Sequence, residues 1–473
     1  MDEKQIAAIV NKVLNELATG NKNGSGAPCT TCNNGVFDNM DAAIDAAFTA
    51  QLQLVEMTLE KRKEIIEAIR QAGQEHAVEF AQQTFAETRM GRVDHKIQKC
   101  ILASKHTPGM EIIETTAWSG DHGLTVEEQA PFGVIGAIMP STHPVPTLIN
   151  NAISMISAGN SVVINAHPGA RNVSAYAVNL FNQAIVQAGG PANLITCVKT
   201  PTMETGQALF THPKIAILCI TGGPGVVRAA MKAGKRAICA GPGNPPVVVD
   251  ETADLDNAAK SIIAGATFDN NVLCIGEKII IAVESIADEL KRQLIKHHSF
   301  ELTLAQIDKL ADIVFKDGGR NTDEPVLNRE WVGKDAKTLA NALGINVPPD
   351  TEMLFAETPV NHPFVMGEQM MCCLPFLRSP NVDAAIKLAQ QVEHFFRHTA
   401  IMHSKNVENM TKMGKLMNCT LFVKNGPSFA GLGVGGEGYL THSIASPTGE
   451  GITSAKTFTR TRRCAMIDYL RIV

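Results

Sequence analysis

The chain predicts an α/β protein built on doubly wound parallel sheets, and three patterns carry that expectation. Short apolar runs such as GVIGAI, SVVI, LITCV and AILCI read as strands buried on both faces, as parallel sheets require. Between them lie segments with apolar residues at three- and four-residue steps, which read as amphipathic helices. The two types alternate, and strand–helix–strand repetition with apolar strands means parallel βαβ units. At 473 residues the chain exceeds one ordinary core, so two or three domains are expected.

The elements follow in order. Residues 1–18 form an expected amphipathic helix, with Ile6, Ile9, Val10, Val13, Leu14 and Leu17 on one face. Residues 19–35 are rich in Gly and Asn and read as a flexible linker. A short helix on a tether suits docking to a partner; packing on its own domain or on a sister subunit is the alternative. Asp38 or Asn39 can cap DAAIDAAFTAQLQL, and TLEKRKEIIEAIRQAGQEHAVEFAQQTFAET adds two more helices. WSGDHGLTVEEQAP reads as a hairpin. The βα alternation then runs through GVIGAIMP, THPVPTLINNAISMISAG, NSVVINAHP, SAYAVNLFNQAIVQAG, LITCV, METGQALFTH and AILCITGG. Three loops leave strands at their carboxyl ends, where such sheets bind ligands: 140–144, 165–170 and 221–225. The last, TGGPG, opens a helix whose N-terminus favours phosphate, although it is not a GxGxxG and one glycine-rich turn is weak evidence. A second α/β region follows AICAGPGNPPVVVD, and the Gly-, Ser- and Thr-rich C-terminal part reads as loops and short strands.

Composition narrows the function. A net charge of −5 and 5% aromatic residues give no basic surface and few stacking platforms, so a nucleic-acid partner is not expected. No run approaches 18 apolar residues, and MDEKQ does not open a secretory signal. The eleven cysteines are scattered, which points to a reducing cytoplasm. Cys29 and Cys32 form a CxxC with no second pair near them, so no metal site is expected.

One cysteine stands apart. In FDNNVLCIGEK, residues 268–278, Asp269-Asn270-Asn271 turns the chain and Val272 and Leu273 lead inward to Cys274. A turn of this kind can hold a thiol near backbone N–H groups that favour the thiolate. Packing is the competing role, since free cysteines are often core residues.

Taken together, several stretches resemble the aldehyde dehydrogenase superfamily: PFGVIGAIMPSTHPVPTLINNAISMISAGNSVVINAHPGA, ITGGPGVVRAAM, AICAGPGNPPVVVDETADLDNAA, FDNNVLCIGEK and EQMMCCLPFLR. The similarity runs from about residue 40 to the end, in the family's order. More narrowly, the pattern is similar to the coenzyme A-acylating members found in bacterial microcompartments. Hydrolytic members carry a water-activating glutamate where Ala240 stands, an asparagine where Thr142 stands, and a lysine where Asn165 stands. The resemblance implies two doubly wound α/β domains plus a small β oligomerisation element. The NAD-binding domain would span 36–245 with an oligomerisation hairpin at 117–131, the catalytic domain 246–435, and a C-terminal segment 436–473.

The resemblance also implies a mechanism. Cys274 attacks a short-chain aldehyde, acetaldehyde or propionaldehyde, and the Cys274 N–H and Thr142 hold the oxyanion. Hydride goes to NAD, and coenzyme A takes the acyl group. Met139, Pro140, Asn165, His167, Pro168, Gly222, Gly223, Val226, Gly241 and Glu368 are the implied cofactor-binding residues, with Glu368 on the nicotinamide ribose. Thr142 can also cap the following helix, a role compatible with the first, and the alternative for Glu368 is an exposed loop acid. His143 and Val272-Leu273 depart from the acylating pattern; His143 is expected at the surface or in a hydrogen bond. The N-terminal helix matches an encapsulation peptide, so docking on a microcompartment shell or co-cargo protein is implied, as is a homodimer or homotetramer. Two other functions stay open: a hydrolytic dehydrogenase releasing free acid, and an inactive cargo or scaffold protein.

Overall fold

The structure, a computed structural model, describes residues 34–470 apart from 321 and 323. The helix expected over 1–18, the linker up to residue 33, and the pair Cys29 and Cys32 lie outside the described residues. The chain divides into two compact units. The first holds the described chain up to Glu87, Ile97–Ala240, and the segment from Tyr439; the second holds Thr88–Lys96 and Gly241–Gly438.

In the first unit the strands are β1 (Val36–Phe37), β2 (Thr116–Gly120), β3 (Gly123–Pro131), β4 (Val134–Ile138), β5 (Ser161–Asn165), β6 (Ile195–Val198), β7 (Ile215–Thr221) and β8 (Ala237–Ala240). Six of them form a parallel sheet in the order β1-β6-β5-β4-β7-β8. The winding reverses between β4 and β7, which is where a doubly wound sheet opens a crevice at its strand ends. Both β5 and β6 are buried along their whole length, as their apolar runs require. Helix Met40–Val55 covers one face through Met40, Ala43, Ile44 and Ala47. Of the two candidate caps, Asn39 is the one used: its side chain accepts from Ala42 N. Helix Pro144–Ser157 is buried at every position, and its polar stripe through Asn150 and Asn151 is met by hydrogen bonds from Thr441 Oγ1, His442 N and Ser443 Oγ.

The second unit contains β9 (Pro246–Val249), β10 (Ile279–Val283), β11 (Ser299–Glu301), β12 (Met353–Glu357), β13 (Cys373–Ser379), β14 (Thr399–His403) and β15 (Leu421–Lys424). They pair in the order β11-β12-β13-β10-β9-β14-β15, parallel throughout. Successive residues of β9 and β10 divide between two cores. Val247, Val249, Ile280 and Ala282 join one cluster, while Val248, Ile279 and Ile281 join the other. This two-sided burial is the reason the strands show no polar alternation.

The chain ends in β16 (Ile444–Ala445), β17 (Gly451–Ile452) and β18 (Thr459–Ile467). Here the structure departs from the expected loops and short strands. The run TRTRRCAMI is one nine-residue strand, paired antiparallel with β3 from Thr459 opposite Pro131 to Ile467 opposite Gly123. Its Thr and Arg residues look like loop polarity in sequence, yet they suit a strand exposed after its first residue. The expected hairpin is β2–β3, so β18 completes a three-stranded sheet. Among the described residues, no helix is long and apolar enough to cross a membrane.

Candidate active site

The loop that carries Cys274 begins where helix Leu255–Thr267 stops. Asp269, Asn270 and Asn271 then adopt φ of 52°, 52° and 64°, three successive left-handed residues without a glycine. Asp and Asn tolerate this region better than other side chains because they bond locally to the backbone. The Asp269 carboxylate accepts from Arg92 N at 2.7 Å and from Lys96 Nζ at 3.0 Å. Asp269 N donates to His95 Nδ1 at 2.8 Å. Asn270 Nδ2 donates to Gly333 O, and Asn271 Nδ2 to the carbonyls of Ala266 and Glu277, each at 2.9 Å.

Val272 and Leu273 are buried, as expected. The thiol itself is not. Across residues 269–283, Cys274 alone keeps partial exposure. Six of the other described cysteines are poorer nucleophile candidates. Burial pushes the thiols of Cys197, Cys219 and Cys419 up to about 12 and that of Cys239 up to about 11. Cys372 and Cys373 are raised further by the same cause.

Gly243 is the floor of this region. A methyl group there would lie 2.6 Å from the Cys274 carbonyl oxygen and 3.0 Å from His398 Cγ. Its N–H also faces the Glu368 carboxyl and favours the charged form. The turn is fixed by Asn244, whose Nδ2 donates to Val392 O at 2.8 Å and Val365 O at 3.0 Å. Gly243, Cys274, Glu368 and His398 precede β9, β10, β13 and β14 respectively, and these four strands are contiguous in the sheet. The second unit therefore gathers its chemistry at the amino-terminal edge of its sheet, whereas the first unit presents its loops at carboxyl ends.

The charges here are unusual. Glu277 and Lys278 are fully buried. Glu277 accepts from Ser428 N and Oγ, both at 2.8 Å, and burial pushes its carboxyl up to about 7. Burial pushes the Lys278 ammonium down to about 8. Glu368 is partly exposed; desolvation raises its carboxyl, while Lys278 and the Gly243 N–H oppose that. His398 falls to about 4, chiefly through burial and then through Lys278, so it is uncharged at neutral pH. Its Nδ1 lies 2.8 Å from Thr399 Oγ1, and its Nε2 has no hydrogen-bond partner among the described residues. The sequence reading singled out neither Gly243, Lys278 nor His398. Nothing in the sequence separates His398 from the other histidines, because its burial depends on residues distant in the chain.

In the first unit, the loops after β4, β5 and β7 carry the remaining predicted residues. Met139 is buried, its N–H bonded to Asn165 O at 3.2 Å, while Pro140 and Thr142 are partly exposed. The capping role considered for Thr142 is overturned: His143 occupies the N-cap of helix Pro144–Ser157, with no side-chain cap bond, because the helix starts at Pro144. His143 is buried and not at the surface, with its ring centroid 5.5 Å from that of His442. Asn165 Oδ1 accepts from Thr205 Oγ1 at 2.7 Å. His167 Nδ1 accepts from Gly169 N at 3.0 Å, and Pro168 is exposed.

Gly223 is the N-cap of helix Pro224–Met231 and offers no side-chain cap. A methyl at Gly223 or Gly225 would meet nothing within 4 Å, whereas one at Gly222 would strike Val226 Cγ1 at 2.8 Å. A bare helix N-terminus with open space against its glycines fits the pyrophosphate of a dinucleotide. Ala240 is buried at the end of β8, its carbonyl accepting from Gly222 N at 3.3 Å. Gly241, in the second unit, is partly exposed.

Comparison with known proteins adds relatives to this geometry. The Aldehyde dehydrogenase family model matches residues 15–305. The chain is 49% identical over 477 residues to an acetaldehyde dehydrogenase (acetylating) of Salmonella typhimurium, covering 100% of each. Two solved structures are similar at 47% identity and a TM-score of 0.90, each covering 93% of this chain and 100% of the other. One is a propionaldehyde dehydrogenase from the fucose utilisation bacterial microcompartment of Clostridium phytofermentans. The other is a Rhodopseudomonas palustris propionaldehyde dehydrogenase with bound CoA and an acylated cysteine.

Proposed function

We propose, for a chain that belongs to the aldehyde dehydrogenase family, that it oxidises a short-chain aldehyde to its acyl-CoA through a thioester on Cys274. The observation that carries this reading is the partial exposure of Cys274 within a buried run, beside the turn that also touches Glu368 and His398. NAD, when bound, supplies the hydride acceptor, and coenzyme A the thiol that receives the acyl group.

The thiolate of Cys274 adds to the aldehyde carbon, and the Cys274 N–H holds the resulting oxyanion. Thr142 as the second donor rests on the family resemblance. Loss of hydride from that carbon leaves the thioester. Ala240 offers no carboxylate to activate water, so the thioester is left for a thiol to attack. His398 is uncharged, and its Nε2 is suited to take the proton of that attacking thiol. Glu368 is assigned to the nicotinamide ribose. Met139, Pro140, Asn165, His167, Pro168, Gly222, Gly223, Val226 and Gly241 are assigned to the cofactors, supported by the open helix N-terminus at Gly223.

The test follows NADH formation from acetaldehyde and propionaldehyde, with and without coenzyme A, using NAD and NADP in turn. Expected are a stoichiometric burst without coenzyme A, sustained turnover with it, and acyl-CoA as product. Free acid as the main product would make the enzyme hydrolytic.

The microcompartment relative supports a further reading, that residues 1–18 dock on a shell or co-cargo protein. Deleting residues 1–20 is expected to leave turnover intact while a fluorescent fusion loses its shell localisation; continued entry would refute it. Assembly into a homodimer or homotetramer through β2, β3 and β18 is supported by the exposure of Trp118 and Ile467 there, 50% and 65%. A monomer by light scattering would rule that assembly out.

A further inference from the structure

One buried cation has no task in the chemistry above. Lys278 follows Cys274 by one helical turn's worth of sequence and is fully buried, but it makes no ion pair within 4 Å among the described residues. Its Nζ instead donates to oxygens of the nucleophile loop: the Asn271 side-chain oxygen, Asn271 O at 3.2 Å and Leu273 O at 3.3 Å. A buried ammonium held only by neutral oxygens is costly, and such a charge persists where nearby negative charge compensates it. The groups whose charge faces it are Cys274, Glu277 beside it in the chain, Glu368 before β13, Cys372 next to β13, and His398 before β14.

We propose that Lys278 is a positioning residue for the nucleophile: its ammonium ties down the turn that presents Cys274 and supplies the positive charge against which the thiolate forms. The inference rests on Cys274 being the nucleophile. Two links lead to it. Two acceptors belong to Asn271, the last left-handed residue of the turn, and the third to Leu273, so the ammonium ties the turn to the backbone immediately before the thiol. The low-dielectric surroundings leave its charge poorly screened, so it lowers the cost of ionising a thiol nearby. Glu368 competes for the same charge, and its occupation by a ligand hydroxyl would leave more of it to Cys274.

The experiment compares the full-length parent with Lys278→Met, Lys278→Gln, Lys278→Arg and Cys274→Ala. Alkylation of the Cys274 peptide by iodoacetamide is followed by mass spectrometry from pH 5 to 10, alongside circular dichroism. In whichever of Lys278→Met and Lys278→Gln folds, the midpoint for alkylation is expected to rise by at least about one pH unit. A shift of that size lowers the thiolate population at neutral pH about tenfold, and turnover falls with it. Lys278→Arg keeps the charge and is expected to recover most of the shift, which a merely structural loss would not produce. A folded neutral variant with the parent's midpoint overturns the role of Lys278. Parental turnover in Cys274→Ala would instead overturn the nucleophile reading beneath it.

Discussion

Replacing Cys274 with alanine is expected to lower aldehyde oxidation by at least about 10,000-fold, because the covalent route disappears with its sulfur. Cofactor binding and the thermal midpoint are expected to stay near the parent's, since a partly exposed side chain loses little packing. Two measurements check this: steady-state NADH formation at saturating aldehyde and coenzyme A, and the intact mass of enzyme quenched without coenzyme A. The parent gains one acyl group and the variant none. Residual turnover above about one per cent would mean that another group carries the acyl chain. Serine is a stricter substitute. It keeps the shape but is a far weaker nucleophile at neutral pH, so its activity is expected to stay at the alanine level.

The second large effect concerns stability. Gly265 lies in helix Leu255–Thr267, and a methyl group on it would sit 1.9 Å from Glu277 Oε2 and 2.3 Å from its Cδ. Glu277 cannot swing away cheaply, because both oxygens are bonded to Ser428 and the side chain is fully buried. Gly265→Ala is therefore expected to destabilise by about 2–3 kcal/mol, despite alanine's better helix propensity. In a domain of this size that lowers the thermal midpoint by roughly 5–10 °C. Gly120→Ala on exposed β2, where a methyl meets nothing within 4 Å, is the control and is expected to melt with the parent. Equal midpoints for both variants would show that the carboxylate pocket yields without cost.

Legibility followed the range of the interactions. The strands of the first unit were readable because a strand buried on both faces shows as an apolar run, and the loops at 140–144, 165–170 and 221–225 followed from where those runs end. Cys274 was visible as a polar-turn cysteine. Only the family motifs separated it from the ten others, since exposure of a thiol is decided by packing. Nothing in the local sequence marks Lys278 and Glu277 as buried. Their burial depends on Ser428, Gly265 and the carbonyls of the turn, none of which a local pattern connects to them. The anchors Arg92, His95 and Lys96 lie more than 170 positions from Asp269, and no spacing rule spans that distance. The cap at Pro144 was misplaced by one residue because Thr142 is a better capping residue than His143.

The left-handed triplet Asp269-Asn270-Asn271 bears on the newly made chain. Each such residue costs on the order of 1 kcal/mol when nothing holds it, and the holding groups come from residues 92–96 and from Gly333. Residues 92–96 are made before the turn and Gly333 after it, so the turn gains its last partner only once Gly333 has been made. The geometry that presents residue 274 is thus completed by contacts made far along the chain, late in synthesis.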